Sequence, residues 1–112
     1  MNTYKFTLKE DYVNTYSRLK GITFYCEWGS IVDGVLTIKK NYSWDGITLA
    51  FDSQETYYAS LVHDFLYQFR CTRKYVADLV FYTQLNEDNF PFAKEYYLAV
   101  TVFGAPFYYN VF

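Results

Sequence analysis

One stretch of the chain, Leu61-Val62-His63-Asp64-Phe65-Leu66-Tyr67, concentrates side chains able to do chemistry. At roughly 100° per residue on a helix, His63 and Tyr67 stand one turn apart and Asp64 is the other near neighbour of Tyr67. All three therefore fall within about a third of the circumference and can converge on one point. Asp78 follows among Tyr75, Leu79, Phe81 and Tyr82, an apolar setting in which an unpaired carboxylate would cost several kcal/mol. It needs a partner, and His63 is the only histidine. A carboxylate that accepts from one imidazole nitrogen fixes the tautomer and leaves the other nitrogen to act as a base, which is an arrangement for activating water. The same residues would serve equally as a closed polar network that locks two helices, and the sequence leaves both readings open.

In the catalytic reading, Asp64 is available to bind a hard cation such as Ca²⁺ through oxygen, provided that backbone carbonyls from a loop complete the shell. The loop from Tyr42 to Thr48, with Asp45 at its centre, is the candidate. A turn in which Asp45 bonds nearby backbone and Gly46 takes positive φ would use the same residues. Arg70, Arg73 and Lys74 are read as a solvated cap at the connection between two helices. Cys26 and Cys71 are the only cysteines and lie far apart. They form neither a zinc spacing nor a dithiol redox motif, and whether they pair is left open.

The elements that must position these residues change character once, near residue 52. Before it the chain reads as strands. Tyr4, Phe6 and Leu8 alternate with polar residues, Ile22 to Trp28 is β-branched and aromatic, and Val35 to Ile38 follows the hairpin pair Asp33-Gly34. After it, Ser53 or Asp52 caps a helix carrying Leu61, Phe65 and Phe69, and Thr72 caps a second carrying Val76, Leu79, Val80 and Thr83. Pro91 opens a third that runs to about Phe103, where Gly104 and Pro106 weaken it. The expectation is an α+β fold in one domain over residues 1–112. Residues 1–51 form an antiparallel β-meander of three to four strands, and residues 52–112 form three helices whose first two are an antiparallel pair.

Ten Lys or Arg against twelve Asp or Glu leave no basic footprint for phosphate backbones, so nucleic acid is not an expected partner. Fourteen Tyr, eleven Phe and two Trp exceed what a core of this size needs. Some of these rings should reach the surface and serve an interface, and Tyr96, Tyr97, Phe107, Tyr108 and Tyr109 are the expected interaction surface. From Tyr96 to Phe112 there is no charged residue. Gly104, Pro106 and Asn110 interrupt the segment, so a core helix with an aromatic tail fits it best, a surface lying on a partner or on a membrane next, and a span least. The amino-terminal residues lack the basic start and apolar run of a secretory signal, which points to a protein that acts where it is made or is carried out in a particle.

Four segments in order, "WDGIT", "ASLVHDFLYQF", "RKYVADLVFYTQL" and "YYLAVTVFG", resemble a family of small phage and prophage proteins of unknown function. Its members carry a DGAS-like loop, an HDxLY helix, an ADxxF helix and a final aromatic helix, and the resemblance spans roughly residues 42 to 104. It implies a phage-associated origin, with the protein in the host cytoplasm or in a phage virion. A second, local resemblance is to the paired helices of secreted phospholipase A2, especially its short microbial forms. It implies His63 as general base, Asp64 as Ca²⁺ ligand, Tyr67 as a supporting hydroxyl and Asp78 as the carboxylate that orients the histidine. The chain departs from that family in lacking the glycine-rich calcium loop and the disulfide framework. The expected function is thus a noncatalytic phage-associated protein, a virion or tail component or a host-directed factor, that binds a protein partner through an aromatic surface and needs no cofactor. The alternative is a Ca²⁺-dependent lipid esterase.

Overall fold

A computed structural model describes residues 6–45 and 54–109, with antiparallel strands first and helices after, an α+β fold. The chain divides into two compact units, Met1–Asp45 and Gly46–Phe112.

The described residues of the first unit hold six strands: β1 Phe6–Thr7, β2 Tyr12–Thr15, β3 Thr23–Cys26, β4 Gly29–Val32, β5 Val35–Ile38 and β6 Ser43–Trp44. β1 and β6 form a two-stranded ladder, and the other four lie in the order β2-β5-β4-β3. The turn between β4 and β5 is the expected Asp33-Gly34 pair, both at positive φ. That is the backbone a tight two-residue hairpin requires, because its twist then matches the flanking strands. Gly34 has a second reason to lack a side chain, since a Cβ there would crowd the Tyr16 carbonyl. Strand alternation puts Ile31, Leu36 and Ile38 on a buried face and Val13, Tyr25, Val32 and Val35 on an exposed one. β2 was not foreseen. Its partner is β5 rather than a sequence neighbour, and such long-range pairing leaves no local signature.

The second unit holds α1 Tyr57–Phe69, preceded by a 3₁₀ turn at Gln54–Thr56, then α2 Lys74–Glu87, α3 Ala93–Phe103 and α4 Ala105–Tyr109. α1 buries Leu61, Val62, Phe65 and Leu66. Tyr67 meets Asp78 while His63, one turn earlier, meets Phe81, one turn later, so α1 and α2 run antiparallel. α2 and α3 are antiparallel by the same reasoning, because Lys74 reaches the end of α3 while Tyr82 packs on Tyr97. Ala59, Phe81, Leu85, Ala93 and Val100 form one core cluster, with Tyr82, Phe90 and Tyr96 against it.

Two expectations about the helix ends need correction. The second helix is capped by Arg73, not Thr72, and without a side-chain bond. Thr72 instead offers its carbonyl to the Tyr108 hydroxyl. The residues after Gly104 form a short helix rather than a tail. Pro106 is tolerated there because it sits in a first turn, whose N–H groups have no intrahelical partner. The Ser53 and Asp52 cap lies outside the described residues. No helix among them is long and apolar enough to cross a membrane.

Candidate functional site

The α1–α2 pair brings His63, Tyr67 and Asp78 together. His63 Nε2 lies 2.8 Å from Asp78 Oδ1, and the Tyr67 hydroxyl donates to the same oxygen at 2.6 Å. The His63 ring also packs on Tyr67 and Phe81, with centroid distances of 4.0 and 4.7 Å. The carboxylate is 1% exposed. A charge so enclosed persists only if its lone pairs are met by donors.

The other oxygen holds the residue that sequence reasoning misplaced. Lys74 is no solvated cap; its ammonium lies 2.7 Å from Asp78 Oδ2, and its side chain is only 13% exposed. The same nitrogen donates to the carbonyls of Val100 at 3.1 Å and Thr101 at 3.2 Å. An ammonium has three N–H donors, and here all three are used. Two of the acceptors belong to the last turn of α3, where the helix dipole favours a cation, and the Val100 carbonyl also accepts from the Gly104 N–H. The i,i+4 spacing of Lys74 and Asp78 was a usable signal. It was obscured by Arg70 and Arg73, which suggested a uniformly wet basic end.

Gly104 closes the cluster on the far side. A Cβ there would fall inside van der Waals contact of the Val100 carbonyl oxygen and the Tyr67 hydroxyl, and would touch the Lys74 chain. Its φ of −80° carries no strain, so space rather than conformation requires glycine here. Tyr108 adds a further tie, edge-on to Tyr67 at 5.2 Å with its hydroxyl on the Thr72 carbonyl. Among the described residues no buried side-chain nitrogen or oxygen lacks a hydrogen-bond partner.

The electrostatics follow from this enclosure. Burial pushes the Asp78 carboxyl up, but the bonds from His63, Lys74 and Tyr67 outweigh it, and the net shift is downward. Burial pushes His63 down, against the opposing pull of Asp78, and Lys74 adds to the lowering. Burial and the neighbouring carboxylate hold Tyr67 protonated, far above the ordinary tyrosine range. At neutral pH the assignment is therefore neutral imidazole, ionised Asp78 and a donating phenol. The Nε2–H tautomer leaves Nδ1 as the free base.

Both acid-titrating groups have lowered folded values, so both act in the same direction. The unfolded chain binds protons first. Stability should be level from about pH 7 up to the ordinary tyrosine range, above which the raised Tyr67 makes it fall, and on the acid side it should fall as pH drops through the ordinary histidine range and again in the carboxylate range. The limiting slope is about 1.4 kcal/mol per pH unit for one proton. In His63→Gln the upper limb should vanish from a plot of melting temperature against pH, and a wild type that gained stability from pH 7 to pH 5 would contradict the assignment.

The residues expected to bind calcium belong to different units. Asp64 is part-buried on α1, Asp45 is exposed at the end of the first unit, and residues 46–53 lie outside the description. Among the described residues no three His, Cys, Asp or Glu side chains come together in a way that could hold a metal. Cys26 and Cys71 are not joined in a disulfide.

The aromatic surface also differs from expectation. Tyr96 packs on Phe90 and Tyr97 on Tyr82, both half-buried, and Tyr108 is buried. A phenol can bury its ring and still satisfy its hydroxyl, which is why tyrosine count was a poor guide to exposure. Phe107 and Tyr109 are exposed as expected, at 56% and 57%. Leu98, Val102 and Phe103 are exposed as well, as are Tyr58, Tyr75 and Phe92.

No protein-family model, curated protein or solved structure matches the chain. Its functional reading rests on the residues themselves.

Proposed function

We propose that the protein is a noncatalytic binding module whose α3–α4 segment docks a protein partner. The observation that carries this reading is the run of exposed apolar side chains Leu98, Val102, Phe103, Phe107 and Tyr109, in a segment without charge. Apolar surface concentrated in this way is uncommon unless something covers it. The state of the Asp78 cluster supports the same reading. Both carboxylate oxygens and every Lys74 N–H are engaged in holding α1, α2 and α3 together. A phage-associated setting, in a particle or in the host cytoplasm, rests on the resemblance of the four sequence segments.

The second reading, a lipid esterase with His63 as base, is favoured by one observation. The imidazole is held by Asp78 through Nε2, and its side chain keeps 15% of its surface exposed. Against it stands Lys74, which neutralises the carboxylate that would have to stabilise an imidazolium. The two are separated by incubating the protein with phospholipid vesicles and Ca²⁺. The binding-module reading expects no fatty acid above background. Release by the wild type that disappears in a folded His63→Gln variant would replace it with the esterase.

A further inference from the structure

The second unit separates its charge by end. Between Asp64 and Asp78, and again after Glu95, the chain has no acidic residue. Antiparallel packing gathers these acid-free stretches, since α1 and α3 finish where α2 begins. Arg70 and Arg73 stand exposed in the loop there, and neither guanidinium has a hydrogen bond or an ion pair among the described residues. Glu55, Glu87, Asp88 and Glu95 lie at the opposite end, with Lys94 beside them. α4 closes on the loop between the two arginines, its Tyr108 hydroxyl on the Thr72 carbonyl. Tyr109, 57% exposed, packs edge-on against Tyr108 at 4.9 Å. Both arginines act on the Tyr108 hydroxyl, against the rise that burial imposes on it, so they flank the same spot.

The backbone of Arg70 is a second, independent observation. It caps α1 in the left-handed region, at φ 48° and ψ 46°, where glycine is the usual residue and a larger side chain costs on the order of 1 kcal/mol. The other non-glycine residues at positive φ among the described residues are Asp33, Asn41 and Asn89, whose short polar side chains tolerate that conformation. Arg70 strains the backbone and its guanidinium returns no bond within the chain. Such strain is characteristic of residues kept for a ligand. A guanidinium is a planar fork that matches a carboxylate, and Arg and Tyr are the side chains that most often carry binding energy at interfaces. The number of charges selects the class of anion. A phosphate backbone is met by about 6–10 contacts and an anionic membrane by clusters of about 4–8 basic residues, whereas one or two acidic side chains need only this pair.

We infer that Arg70 and Arg73, with Tyr109 beside them, bind acidic side chains of the protein partner that docks on α3 and α4. The inference rests on the binding-module reading and supplies the partner's chemistry, a segment in which carboxylates accompany apolar residues. Tyr109 belongs both to the exposed apolar run and to the arginine site, so one continuous segment reaches the two together.

The test is an NMR titration of the full chain with the peptide Leu-Glu-Glu-Phe-Glu-Leu, blocked at both ends, and with a copy in which Gln replaces each Glu. Arg18, Arg70 and Arg73 are the only arginines, so their Nε–H signals report the site, with exposed Arg18 as internal control. The acidic peptide should shift the Arg70 and Arg73 signals with a Kd of about 1 mM or tighter and leave Arg18 in place. Its affinity should fall when NaCl is raised, and the Gln copy should bind at least about tenfold more weakly. Arg70→Gly should also bind the acidic peptide about tenfold more weakly, yet keep or raise the melting temperature, because glycine relieves the left-handed backbone. Undiminished binding by Arg70→Gly, or an equal shift at Arg18, overturns the inference. Both peptides bound alike, seen only at the amides of α3 and α4, overturn it but leave the binding module standing. Silence from both overturns the inference and counts against the module as well. Preference for an oligo-dT strand or for phosphatidylglycerol vesicles over the acidic peptide identifies a polyanion as the occupant and also overturns it.

Discussion

Replacing Lys74 with Met should lower the free energy of unfolding by about 3–5 kcal/mol, measured by urea titration at pH 7. Met keeps the length, the apolar stem and the helix propensity of lysine, so the loss isolates the ammonium. Without it, a carboxylate that is 1% exposed keeps only two neutral donors, and the carbonyls of Val100 and Thr101 lose a donor. Breaking one side of a buried pair is costly because the remaining charge stays behind. A second readout is independent of stability. Lys74 is among the influences that hold His63 down, so the imidazole of Lys74→Met should take its proton at a higher pH than in the wild type, as followed by NMR. A lysine that merely lay in solvent would leave both quantities unchanged, within about 0.5 kcal/mol for the first.

Gly104→Ala should destabilise the chain by about 2–4 kcal/mol although it adds a single methyl group. At the observed φ an alanine is conformationally acceptable, and elsewhere in a helix the change would be favourable. The cost is steric, since the new Cβ overlaps a backbone carbonyl, which cannot rotate away, and the Tyr67 hydroxyl, which is held by Asp78. Combining it with Tyr67→Phe gives a sharper check. Removing the hydroxyl makes room on one side, so the double variant should lose less than the sum of the two single losses, with a coupling above about 0.5 kcal/mol. Strict additivity would mean that Gly104 and Tyr67 do not share the space assigned to them.

How far the sequence anticipated this centre depends on the range of each interaction. His63, Tyr67 and Asp78 were legible because helical spacing fixes which side chains share a face, and a lone histidine beside a carboxylate in an apolar setting has few other partners. Lys74 and Gly104 were not, for different reasons. Lysine at a helix start is ordinarily wet, and only the packing of α3 against that start makes the site dry. Gly104 read as a helix breaker, and nothing local to it reveals that Tyr67, far earlier in the chain, occupies the volume beside it. The Asp33-Gly34 hairpin was readable because its turn chemistry is local. The pairing of β2 with β5 was hidden because register across a long separation is set by the whole sheet. Tyr96 and Tyr97 were assigned outward on their polar tips, yet the 3.6-residue period of α3 turns them toward α2 and turns Leu98 and Val102 out.

The network and the exposed apolar run meet in α3. Its last turn is anchored by Lys74 to Asp78, and its opposite side carries Leu98, Val102 and Phe103. A rigidly seated helix presents such a face with less ordering cost on association than a frayed one. On this account the polar cluster serves binding indirectly, by holding the helix that binds.

The most direct measurement is the unfolding free energy of Asp78→Asn. The variant is nearly isosteric but has no charge to meet Lys74 and His63. If the carboxylate is there to hold three helices together, urea unfolding should show a loss of about 3 kcal/mol or more, as for a broken buried pair. A folded variant as stable as the wild type, or more so, would be the signature of a residue kept for chemistry at the expense of stability, and would contradict the account.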